Sequence, residues 1–93
     1  MKVGRYEYEK STRPGKKLMV VVKKDGKSKT VHFGDSKSEH FKDKTGIWKS
    51  KDHGDPVRRK SYLARSKGIK DKAGNLTWKN PESPNYHSIR ILW

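Results

Sequence analysis

The chain has no cysteine in its 93 residues, which excludes a disulfide framework and any thiolate metal site. It has little apolar sequence. Hydrophobic residues make up 29% of the total, and the longest unbroken run is Leu18 to Val22, far short of the roughly 20 residues a membrane span needs. The opening "MKVGRYEYEK" lacks the apolar stretch of a secretory signal, so the expectation is a protein that is not secreted. Acidic residues are also scarce. Ten Asp and Glu face 24 Lys and Arg, leaving a formal net charge of +14. Such an excess repels itself and is best tolerated beside a polyanion. Nucleic acid comes first as that partner, then acidic protein surfaces, then anionic lipid; a generally basic proteome is the bland alternative.

What the chain does have is large apolar side chains: three Trp, four Tyr and two Phe. Disordered chains are poor in aromatics, so these point to a lean folded core under a heavily solvated shell, in one small domain over residues 1–93. "VGRYEYE", Val3 to Glu9, sets Tyr6 and Tyr8 on one side of a strand. Pro14-Gly15 breaks it. "KLMVVVKK" is β-branched and apolar and reads as a strand, Asp25-Gly26 as a hairpin turn, and "SKTVHFG" as the partner, with Val31 and Phe33 on one face and Thr30 and His32 on the other. The fold class expected is α+β: an antiparallel meander of about three strands over 3–34, packed with one or two short helices. An irregular loop follows over 35–54. Its only large apolar residues, Phe41 and the pair Ile47-Trp48, are expected to pin it to the core at two points, although an exposed Phe41 or Trp48 would mark a partner site.

"HGDPVRRKSYLARSKG" carries start and stop signals. Asp55 suits an N-cap, Pro56 the first helical position, and Gly68 a left-handed residue at the end. A basic helix is expected over 56–67. At about 100° per residue, Val57, Ser61 and Ala64 form a lane of small side chains able to lie close on the sheet. Arg58, Tyr62 and Arg65 share a second face, and Lys60 and Lys67 lie opposite. A nucleic-acid contact built from Arg58, Arg59, Lys60, Tyr62, Arg65, Lys67 and Lys70 fits the paired hydrogen bonds that guanidinium groups make to phosphate, with Tyr62 adding a hydroxyl or a stacking face. The competing readings are Arg stems covering a thin core, or an Arg paired with Asp52, Asp55 or a helix carboxyl terminus. Ser61 and Ser66 follow basic residues in a way that would suit a kinase.

The aromatic segment 76–93 opens after a Gly74-Asn75 turn. Leu76 to Trp78 reads as a short extended piece. Ser83-Pro84 repeats the cap-then-proline pattern, so a second helix is expected from Pro84, with Tyr86, Ile89 and Trp93 on one face. Alternation of Ile89, Ile91 and Trp93 keeps a strand as the competitor.

With Phe33-Gly34, His53 and Asp55, Arg59 with Tyr62 and Arg65, and Leu92-Trp93 in view, the chain resembles the small basic uncharacterised proteins of large DNA viruses and phages, a domain family of unknown function. The likeness runs over about three quarters of the chain. It departs at Ser66, where members often carry His, and in a longer insert around Thr45 to Lys51. The resemblance implies a viral or phage setting, in host cytoplasm or virion, and a genome-associated or virion role; it implies no mechanism.

Two functions follow as expectations. The first is sequence-nonspecific binding of nucleic acid, with DNA placed ahead of RNA, while neither an RNA-binding aromatic signature nor a helix-turn-helix is evident in the residues to separate the two. The second is a virion structural protein, a minor capsid or decoration protein, whose basic surface meets acidic capsid subunits or packaged genome. Neither calls for a cofactor, a metal, a membrane or a small-molecule substrate. A small metal nuclease using Asp52, His53 and Asp55 is the weaker third idea, because Asp55 is better explained as a cap.

Overall fold

Asp25 and Gly26 both adopt positive φ, 52° and 77°, the left-handed pair that a two-residue hairpin turn requires. They join β3 (Lys16–Lys24) to β4 (Lys27–Asp35), and the register follows from the turn: Lys24 faces Lys27, Val20 faces Val31 and Leu18 faces Phe33. The computed structural model describes residues 1–93. Its sheet has four antiparallel strands in the order β1-β2-β3-β4, one more than the three expected. The Val3–Glu9 stretch is not one strand. Gly4, at φ 62°, turns it back on itself, so β1 (Lys2–Val3) pairs with the start of β2 (Tyr6–Lys10).

Alternation along the strands sends Tyr8, Leu18, Val20, Val22, Val31 and Phe33 to one face, where Ile91 and Leu92 complete the buried core. Those last two come from the second helix, α2 (Pro84–Ile91), and the residue that follows it; the helix cap is Ser83, accepting from the Asn85 N–H. The helical alternative for the C-terminal segment is thus the one adopted. Its buried positions are not Tyr86, Ile89 and Trp93, however, but His87, Ser88, Ile91 and Leu92. A histidine can occupy the core because both ring nitrogens are satisfied. Nε2–H donates to the Pro81 carbonyl at 2.6 Å, which leaves Nδ1 to accept from the Tyr8 hydroxyl at 2.8 Å. Burial holds the His87 pKa below the ordinary histidine range and pushes the Tyr8 phenol up.

The 35–54 loop is held by polar groups as much as by apolar ones. Trp48 packs on the core and its indole N–H donates to the Lys17 carbonyl at 2.7 Å. Phe41 is half-buried, and Ile47 is exposed, so it pins nothing. The remaining anchor is a chain of buried polar groups. The Lys17 ammonium donates to the Ser38 carbonyl and to His40 Nδ1, and His40 Nε2–H donates to Asp52 at 2.6 Å. Asp52 also accepts the Asp43 N–H, while Asp43 accepts from Thr45 and Trp48. Lys17, His40 and Asp43 are all buried. Burial pulls the Lys17 and His40 pKa values down, and for His40 the adjacent ammonium adds to the effect. Gly34, at φ 79°, makes the close approach possible: a Cβ there would sit 2.9 Å from Leu92 Cδ1 and 3.2 Å from Lys17 Cβ.

Two local expectations fail for backbone reasons. Gly68 does not take up positive φ; the first helix, α1 (Pro56–Ser66), ends with Lys67 in the right-handed region, its N–H shared between the Leu63 and Arg65 carbonyls. Of Leu76–Trp78 only Leu76 is extended, bridging to Lys70; Thr77–Lys79 is a single 3-10 turn.

A candidate nucleic-acid interface

Asp55 caps α1 as its sequence suggests, its carboxylate accepting from the Val57 and Arg58 N–H groups at 2.9 and 3.4 Å. The face by which α1 packs is not the lane of small residues. Val57, Ser61 and Ala64 are exposed, Val57 at 72%. The helix docks instead through Arg59, Tyr62, Leu63 and Ser66, the i, i+3, i+4, i+7 set. The Tyr62 ring stacks on Trp93, 4.0 Å between centroids and 6° from parallel, and its hydroxyl meets Ser88 at 3.1 Å. Ser66 is buried, and its carbonyl accepts from Asn85. Arg59 lies over Phe41 and donates from Nε to the Trp93 carbonyl at 2.6 Å. Large flat partners win because buried area sets the gain, about 25 cal/mol per Å², and Val, Ser and Ala have little to bury.

This docking sorts the seven residues expected to meet nucleic acid. Arg59 and Tyr62 hold α1 in place. Arg58 and Arg65 flank an open groove of about 540 Å³ whose far wall is Lys37, Ser38 and Glu39 and whose floor is the Tyr62–Trp93 stack. Lys60 is exposed outside it. Lys67 lies over the Trp78 ring at 5.2 Å and Lys70 is exposed beyond the helix end. Lys37 and Glu39 are groove residues that sequence reasoning does not find. No local pattern marks them, since only folding of the loop carries them to α1. Glu39 pairs with Arg58 at 3.1 Å, and that ion pair holds its carboxyl below the usual range.

Five of the six aspartates are committed to backbone N–H groups. Asp35 accepts the Lys37 N–H, Asp71 those of Ala73 and Asn75, and Asp43, Asp52 and Asp55 accept as described. Arg58 is the only one of the 24 Lys and Arg side chains within 4.0 Å of an Asp or Glu carboxylate. The residues of the nuclease idea do not converge. Asp52 binds His40, Asp55 caps α1, and His53 Nδ1 accepts the Asp55 N–H at 2.9 Å. No group of three or more His, Asp and Glu is placed to hold a metal ion. Of the two candidate kinase serines, Ser66 is buried and Ser61 is exposed in the groove.

Comparison of the chain with protein-family models, characterised proteins and solved structures finds no match.

Proposed function

We propose that this protein binds nucleic acid without regard to sequence, through phosphate contacts from Arg58, Lys60 and Arg65, with Lys37 across the groove and Lys67 and Lys70 beyond the end of α1. The setting proposed, on the resemblance to small basic viral and phage proteins, is a virus or phage, in host cytoplasm or virion. The observation that carries the reading is the sorting of charge. Five of the six aspartates are spent on backbone N–H groups, and every Lys and Arg except Arg58, which pairs with Glu39 at the groove edge, is left without a carboxylate partner, so most of the positive field is available to an external polyanion. The groove supplies guanidinium groups on a rigid helix, where paired hydrogen bonds to phosphate oxygens cost little ordering.

Duplex DNA titrated across a salt series tests it. The parent should bind with a steep fall in affinity as salt rises, at similar strength for unrelated sequences. Arg58→Ala with Arg65→Ala should flatten the plot of log affinity against log salt by roughly one unit for each phosphate left without its arginine. Arg59→Ala should lower stability and leave that slope nearly unchanged. A parent that binds no DNA near physiological salt removes the reading, and an acidic capsid surface then becomes the partner to test.

A further inference from the structure

Helix α2 has two working sides. Asn85, Ser88 and Leu92 face α1 and the loop, whereas Tyr86 and Arg90, one turn apart, face a separate cleft beside the β1–β2 turn. That cleft has a volume of about 500 Å³, within the range of small-molecule sites. Tyr6 and Tyr86 build its aromatic wall, edge to face with centroids 6.3 Å apart, and the Arg90 guanidinium lies 4.3 Å over the Tyr86 ring. Arg5 reaches it from the Gly4-Arg5 turn, and Lys44 from the loop, held there by its N–H bond to the Ile91 carbonyl at 3.0 Å. Three cations thus converge from three separate segments on one cavity that no carboxylate lines. Like charges gathered without a counter-charge repel one another, and an anion relieves the repulsion. Bare phosphate would need the cations but not the aromatic wall, and an apolar molecule would need the wall but not the cations.

We propose that this cleft binds one unpaired nucleotide, its base against Tyr6, Tyr86 and the Arg90 plane and its phosphate on Arg5 and Lys44. The site is distinct from the α1 groove and does not depend on duplex binding there. A base presents a flat π-face to tyrosine and guanidinium alike, so the stacking tolerates any base. The nucleotide is either free or part of a single strand, the same chemistry from two sources.

Chemical-shift mapping on the whole protein, with deoxyadenosine monophosphate, a short oligo-dA, inorganic phosphate and a blunt duplex in parallel, tests the proposal. Deoxyadenosine monophosphate or the oligonucleotide should move the Arg5, Tyr6, Tyr86 and Arg90 signals. Saturation by the monophosphate at an affinity near the oligonucleotide's identifies a free nucleotide; shifts from the oligonucleotide alone identify a strand. Tyr86→Ala should weaken binding roughly tenfold. Should that variant unfold, Arg5→Ala with Arg90→Ala, both exposed, should weaken it likewise while leaving duplex affinity at the α1 groove near that of the parent. Arg58→Ala with Arg65→Ala should leave nucleotide binding at the cleft intact. The proposal is overturned if neither nucleotide ligand moves the cleft signals, if inorganic phosphate reproduces the shifts at equal affinity, or if the Arg5 and Arg90 double variant binds the nucleotide as the parent does.

Discussion

Replacing Gly34 with alanine should reveal how tightly the loop and α2 close on the sheet. Two costs combine there. The backbone sits at φ 79°, where a Cβ costs an L-residue about 1–2 kcal/mol. The new methyl would also stand 2.9 Å from Leu92 Cδ1 and 3.2 Å from Lys17 Cβ, and overpacking of that kind typically costs about 1–3 kcal/mol. Alanine's smaller unfolded-state entropy offsets up to about 1 kcal/mol. Gly15 separates the two costs, since it has φ 85° and no atom within 4 Å of its would-be Cβ. Gly15→Ala carries the backbone strain alone, so Gly34→Ala should be less stable than Gly15→Ala by about 1–3 kcal/mol. At ~4–8 °C of Tm per kcal/mol for a domain of this size, thermal melts followed by Trp fluorescence resolve the gap. Leu92→Val removes the atom in closest approach, so the Gly34→Ala penalty should shrink in that background, a coupling expected only of touching residues. Equal losses at Gly15 and Gly34, or a Gly34 penalty indifferent to Leu92→Val, would refute the steric reasoning.

His40 and His87 are both held neutral, their folded pKa values lying below that of an unfolded histidine. The unfolded chain therefore takes up more protons as pH falls. The stability these two residues contribute should be complete above about pH 6.5 and drain away as pH drops from there toward their folded values; urea midpoints that stay constant from about pH 8 to about pH 5 would contradict this. Asp55→Ala should cost about 1 kcal/mol through loss of the α1 cap, and Asp55→Asn, which can still accept from the Val57 N–H, should cost no more than a few tenths. A larger loss for Asn than for Ala in denaturation curves would place the role of Asp55 elsewhere than the cap.

Where a local rule is strong, the sequence determined the structure by itself. Asp25-Gly26 can form only a tight left-handed turn at low cost, so the β3–β4 register and the inward set Val20, Val31 and Phe33 follow from the residues alone. Asp55-Pro56 and Ser83-Pro84 start helices for the same reason: each joins a side-chain acceptor to a residue already set at helical φ. The orientation of α1 was a matter for tertiary structure. Its packing set is Arg59, Tyr62, Leu63 and Ser66, and the pattern was hidden because an arginine and a serine occupy two of its four positions. Arg59 serves there by its guanidinium, which lies over Phe41 and bonds the Trp93 carbonyl, and Ser66 by a carbonyl bonded to Asn85, partners that no spacing in α1 discloses. The candidate sites divide in the same way. Arg58 and Arg65 are legible as one face of a basic helix, but the groove also needs Lys37 and Glu39, and the nucleotide cleft needs Arg5, Lys44 and Arg90, each from a different part of the chain. Net charge is a sum over residues and can be read in any order. Which cations share a cavity, and which carboxylates are already committed to the backbone, depends on contacts between distant segments, and only the folded chain brings those together.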